Sequence, residues 1–166
     1  MSKVFEAAVV AFGLIIGFCH WAESGTARAQ AKRAEAGNAE EAIRSLTNRE
    51  RIHRNLAPLK LDRACAQAIA GHVSEMAAGR QLSHQGRNGS SAGERYRHYN
   101  AKGRGAGENV AYNTYGTAQS FMRQWLRSPA HRANILNPIY KGIGVAVRAN
   151  CSGPRCYYYA GQCFSL

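Results

Sequence analysis

Apolar positions recur along this chain with two different periods, and the switches between them divide it into elements. Ile43, Leu46, Ile52 and Leu56 follow at roughly helical spacing until Ala57-Pro58 stops them, which predicts a helix over Glu40 to Leu56. Asp62 then stands where an N-cap belongs, and Cys65, Ile69, His72, Val73 and Met76 form one helical stripe ending at Gly79. Thr117 to Arg127 predicts a further helix with Phe121, Met122, Trp125 and Leu126 inward, and Ser128-Pro129, a capping residue followed by proline, starts another. Glu108 to Tyr112 predicts a short strand. Ile143 to Ala149 and Cys156 to Phe164 alternate as two antiparallel strands would, joined by the tight turn Ser152-Gly153-Pro154-Arg155. Tyr157 to Tyr159 then read as strand packing with alternate rings in and out.

Two stretches break this pattern. Ala7 to Phe18 is an uninterrupted apolar run of twelve residues, preceded by Lys3 and followed by Ala27-Arg28-Ala29 and Ala29-Gln30-Ala31, the layout of a cleaved secretory signal. A membrane-spanning helix would need about 20 residues. The expected organisation is therefore a signal peptide at 1–29, cut after Ala29 or Ala31, a flexible leader at 30–39, and one folded domain at 40–166. The other break, His84 to Gly107, has 24 residues with six glycines and one short helical segment, Ser91 to Tyr99. Loops of that length tend to carry function.

Charge and cysteine content sharpen the picture. Twenty-two Lys and Arg against ten Asp and Glu leave +12, and 45% hydrophobic residues imply a folded basic protein rather than a disordered tail. Removing the signal leaves the net charge unchanged but takes Cys19 with it, so Cys65, Cys151, Cys156 and Cys163 remain, an even set that suits two disulfides in an oxidising compartment. Cys156 and Cys163 on one strand would lie about 23 Å apart, too far to bond. Cys151 and Cys156 flank the tight turn, which leaves Cys65 for Cys163.

The 84–107 loop places Arg87, Arg95, Arg97, Lys102 and Arg104 around Glu94, with Tyr96 and Tyr99 between them. Arginine beside tyrosine suits single-stranded nucleic acid, but a solvated basic loop is the simpler reading, and no sequence-reading module is present. An exported protein of this charge meets an anionic envelope component or a lipid before it meets DNA. Gly103 to Gly107 enters a strand rather than a helix and lacks the Lys-Ser/Thr end of a phosphate loop. His53 and His72 sit beside apolar residues on helix faces and read as structural histidines. No Gly-x-Ser-x-Gly elbow or free mature cysteine offers a nucleophile.

Several separated motifs carry a resemblance. Gly107-Glu108-Asn109-Val110-Ala111, Trp125, Ser128-Pro129-Ala130-His131-Arg132-Ala133-Asn134-Ile135-Leu136, Ile143-Gly144-Val145 and Tyr157-Tyr158-Tyr159 resemble the CAP domain of cysteine-rich secretory proteins, antigen 5 and pathogenesis-related proteins, in its bacterial form. Asn48, Arg51, Leu56, Pro58-Leu59, Asp62 and Leu82-Ser83-His84 fit the same pattern upstream, so the match covers about residues 40 to 164. It implies an α+β fold, an α-β-α sandwich with a small antiparallel sheet between helices, and a cleft lined by two histidines and two acids. Carried onto this chain, those positions are His84, Glu108 and His131, while the fourth, an acid in eukaryotic relatives, falls on Ser128. No Asp or Glu follows Glu108 at all, and Glu94 is the nearest upstream replacement.

Two imidazoles and a carboxylate are ligand types of an open zinc site, and the helix end at Ser128 disfavours the His131 imidazolium. His84 and His131 are thus the expected ligands of a weak Zn2+, with Glu108 as base if the site hydrolyses peptide or envelope substrate. Absent a metal, the three residues form a polar cluster tying loop to sheet. The first expectation is a monomeric secreted or periplasmic binding module for a lipid, sterol or anionic envelope ligand; metal-assisted hydrolysis and non-specific nucleic-acid binding through loop 84–107 are its rivals.

Overall fold

The computed structural model describes residues 38–100, 102–103, 106–152 and 155–166. The expected signal at 1–29, most of the leader, Arg104 and the turn residues Gly153 and Pro154 lie outside that set.

The first described helix, α1, runs over residues 38–52, so residues 38 and 39 of the expected flexible leader are helical and the helix stops short of Leu56. Its inward stripe is not the apolar one. Ile43, Thr47 and Arg51 are buried at successive turns, whereas Ile52 is 56% exposed. Thr47 donates to the Ile43 carbonyl, and Arg51 donates to the carbonyls of Ala57, Ile135 and Asn137 at 2.8–2.9 Å. Buried polar groups with partners behave as core residues, which a search for apolar spacing passes over. His53 is exposed rather than packed.

A two-residue strand, β1 (Lys60–Leu61), pairs parallel with β3 (Gly142–Ser152), so the sheet is mixed and not purely antiparallel as expected. Asp62 caps α2 (Arg63–Gly79) by accepting from the Cys65 N–H. Ser91 and Glu94 form a capping box at the start of α3 (Ala92–Tyr99). The strand after the long loop, β2 (Ala106–Asn113), extends beyond both of its expected ends. Thr117 caps α4 (Ala118–Arg127), and Pro129 opens α5 (Pro129–Ile135), although the Ser128 side chain makes no capping hydrogen bond. The last strand, β4 (Arg155–Ser165), pairs antiparallel with β2 and β3, giving the sheet order β1-β3-β4-β2.

Strand alternation sorts the sheet's two faces into two cores. Ile143, Val145, Val147, Ala160 and Phe164 pack with Ile43, Phe121, Trp125 and Ile135 from α1, α4 and α5. Ala146, Tyr159, Cys163 and Val110 pack on the opposite face with Ile69, Val73 and Met76 of α2 and Tyr96 of α3. The result is an α-β-α sandwich. Both disulfides join the expected partners: Cys65–Cys163 ties α2 to β4, and Cys151–Cys156 closes the β3–β4 hairpin.

Candidate functional site

Strand β2 lies at one edge of the sheet, and its alternating residues face opposite layers. Glu108 points to the same side as Val110, toward α2 and α3, and its side chain is 5% exposed. His84 Nδ1 lies 2.9 Å from Glu108 Oε1, and Arg95 donates to Oε2 at 2.5 Å. The capping box sets the register of α3 that presents Arg95, whose Nη1 and Nη2 also donate to the carbonyls of Ser90 and His84. His84 is otherwise open, with its side chain 62% exposed.

Asn109 faces the other layer. Its amide donates to the His131 carbonyl at 3.0 Å and to Gln162 Oε1 at 3.0 Å, and Gln162 donates in turn to Thr47. Asn134 donates to the Glu108 carbonyl and to Asn109 Oδ1. This amide chain runs from α1 through β4 and β2 to α5, and it fixes the backbone that carries His131. The His131 imidazole is held below its usual pKa, first by burial and then by the neighbouring His84. The helix end invoked from the sequence is not needed for that direction.

The structure thus joins His84 to Glu108 directly and sets His131 close enough to His84 to feel its charge. Among the described residues, no group of three or more His, Cys, Asp or Glu side chains is placed to hold an ion. The donor set argues the same way. His84 Nδ1 and both Glu108 oxygens are already used, and a guanidinium 2.5 Å from the carboxylate repels a dication. Glu108 is therefore closed to an ion as a ligand, while His84 Nε2 is not engaged by that contact.

Arg95 is the residue that sequence reasoning misplaced. Taken there as one cation of a solvated loop, it is 10% exposed and paired with Glu108. Glu94 does not supply the second cleft acid, because its carboxylate caps its own helix at Ser91. Tyr96 is a core residue donating to Asp62, which removes one of the two rings offered to nucleic acid. Of the remaining loop cations that are described, Arg87, Arg97 and Lys102 are exposed. His72, as expected, is a buried histidine held by the Ser83 carbonyl at 2.7 Å.

Comparison with known proteins gives consistent results. The model of the cysteine-rich secretory protein family, CAP, matches residues 44–164. Two Bacillus subtilis proteins are similar in sequence: the uncharacterized membrane protein YlbC, 34% identical over 65% of this chain, and the uncharacterized protein YkwD, 30% identical over 64%. The matched region spans only 31% and 41% of those relatives' lengths. An extracellular protein containing an SCP domain from Bacillus anthracis superposes with TM-score 0.66 at 28% identity, covering 78% of this chain and 41% of that one. An outer surface protein of Borrelia burgdorferi has TM-score 0.67 at 17% identity, covering 77% and 92% respectively, and supports the fold alone.

Proposed function

This chain belongs to the cysteine-rich secretory protein (CAP) family, and we propose that it is an extracellular module that binds an anionic component of the cell envelope. The Arg95–Glu108 pair carries this reading. A catalytic carboxylate must be free to take or give a proton, yet both Glu108 oxygens are engaged and the side chain is 5% exposed. No acid follows Glu108 in the chain, so the site offers an acidic ligand the exposed edge of His84, with the Glu108 carboxylate already neutralised, and Arg87, Arg97 and Lys102 of the loop are exposed. Two disulfides suit an oxidising exterior, and the similar Bacillus anthracis and Borrelia burgdorferi proteins bear the descriptions extracellular and outer surface.

The test is co-sedimentation with phosphatidylglycerol vesicles, phosphatidylcholine vesicles and purified anionic wall polysaccharide at low and high salt. Binding to an anionic target that weakens with salt, and weakens again in Arg87→Glu/Arg97→Glu, is the expected result. Equal binding to the neutral vesicles, or none to any target, would overturn it.

The His84–Glu108 contact supports a second reading. A buried carboxylate that orients an exposed imidazole leaves Nε2 free to act as a base, so hydrolysis would run through His84 and not, as first expected, through Glu108. In that case His84→Gln would abolish peptide or ester hydrolysis, and an unchanged rate would dismiss the reading.

A further inference from the structure

Strand β2 is an edge of the sheet, and near its end Tyr112 pairs with Tyr159 of β4. Their rings stack with centroids 5.7 Å apart and an interplanar angle of 21°. Tyr157, on the same strand face as Tyr159, sets its ring 6.4 Å from Tyr112 at 48°. Tyr159 is buried, whereas Tyr112 is 47% and Tyr157 40% exposed. One face of the Tyr112 ring thus lies on Tyr159, and no strand lies beyond β2 to cover the other. Arginines flank these rings. Asn150, the register partner of Tyr157, donates to the Ala77 carbonyl at 2.5 Å, which sets the end of α2, with Arg80 just beyond it, over this part of the sheet. Burial, and then Tyr112, hold the Tyr159 hydroxyl above its ordinary pKa, and Arg80 is near enough to oppose them. Arg155 also shares the strand face of Tyr157. Both arginines are exposed, and among the described residues neither has an acid within ion-pair distance. Strands β3 and β4 bring none, since no Asp or Glu follows Glu108.

We propose that Tyr112 and Tyr157 form a stacking surface for an acidic saccharide, with sugar rings on the tyrosine faces and the acidic groups on Arg80 and Arg155. The face of a tyrosine ring is its negative side and attracts the polarised C–H groups of a sugar. The arginines supply charge-assisted hydrogen bonds to carboxylate or phosphate. A single-stranded nucleic acid would offer the same charge, but its bases stack nearly parallel on one another, and rings tilted by 48° do not continue such a stack. Successive sugar rings turn about each glycosidic bond and can follow the tilt. This inference rests on the envelope-binding reading and names for it a ligand class and a contact surface, made by β2, β4 and the end of α2 rather than by loop 84–107.

The experiment is calorimetric titration of the protein with hexagalacturonate, phosphorylated mannohexaose, neutral cellohexaose and hexathymidylate. At least one acidic saccharide should bind, more weakly at high salt, and cellohexaose should bind about tenfold less tightly or worse. Tyr112→Leu/Tyr157→Leu keeps apolar bulk on the strands but removes the flat faces, and should weaken binding about tenfold or more, whereas Tyr112→Phe/Tyr157→Phe should retain it. Arg80→Gln/Arg155→Gln should also weaken it. Binding of neither acidic saccharide, equal binding of the neutral one, tighter binding of hexathymidylate, the same affinity in the Phe and Leu variants, or affinity unchanged in the arginine variant would each overturn the proposal. If anionic wall polysaccharide sediments the Leu variant as it does the parent, this surface fails and the envelope-binding reading stands. If no anionic target sediments the parent, that reading itself fails.

Discussion

Arg95 Nη2 and Glu108 Oε2 meet at 2.5 Å from positions 13 residues apart, one on α3 and one on β2. Their side chains are 10% and 5% exposed, so each is the other's main compensation for leaving water. The contact also decides the chemistry of the cleft, since it occupies the carboxylate that a hydrolase would use.

Removing one partner should therefore cost more than removing both. Arg95→Met is expected to destabilise the protein by about 3–5 kcal/mol, because it strands a buried carboxylate. Arg95→Met combined with Glu108→Gln should recover much of that loss. Urea denaturation of the two single variants and the double variant tests the coupling; additive losses would mean the pair is not a unit.

Acid should unfold the protein in two windows. His131 is held below its ordinary pKa by burial and then by His84, so the unfolded chain binds a proton that the native state refuses. Stability is full above about pH 6.5 and falls as the pH drops from there toward the native value. For Asp62, burial alone would raise the pKa, but hydrogen bonds from the Ser165 hydroxyl, the Cys65 N–H and the Tyr96 hydroxyl outweigh it and lower the value. Its contribution is present above the unfolded carboxyl value of about 3.9 and is lost as pH falls through the native one. Denaturation midpoints followed downward from neutral pH should lose the upper step in His131→Gln and the lower in Asp62→Asn. A His131→Gln profile matching the parent would refute the first assignment.

The two disulfides should contribute unequally. Cys65–Cys163 closes 98 residues of chain and Cys151–Cys156 only 5. Loop entropy assigns them about 4.7 and about 2 kcal/mol respectively. Thermal unfolding of Cys65→Ala/Cys163→Ala against Cys151→Ala/Cys156→Ala should rank in that order, and the reverse ranking would reject the entropic account.

Gly144 pairs with Cys163 where β3 runs beneath α2. A Cβ there would collide with the backbone nitrogen of Ala66 and the carbonyl carbon of Cys65, neither of which is a flexible side chain. Gly144→Ala should destabilise by about 1–3 kcal/mol or more through overpacking. A denaturation midpoint within error of the parent would show that α2 can move away.

The stripes and alternations that a sequence displays were enough for most of the helices and strands and, with the cysteine spacing, for both disulfides, whereas the layered fold was implied by the family resemblance. Cys65 falls on the inward face of α2, and Cys163 on the strand face that meets it. A helix start was legible where a cap residue stands beside a periodic run, as at Asp62. Strand β1 was not legible, because two residues show no period and only pairing with Gly142 and Ile143 makes them a strand. Thr47 and Arg51 were missed because their burial rests on hydrogen bonds to groups as distant as Gln162 and Ile135. Glu108 and His84 could be named from local motifs, but the role of Glu108 could not, since it depends on which cation the fold delivers to it. Periodicity is a property of neighbouring residues, whereas the pairing of a buried charge depends on the folded chain, and Arg95 could be told from the other arginines of its loop only by where α3 carries it.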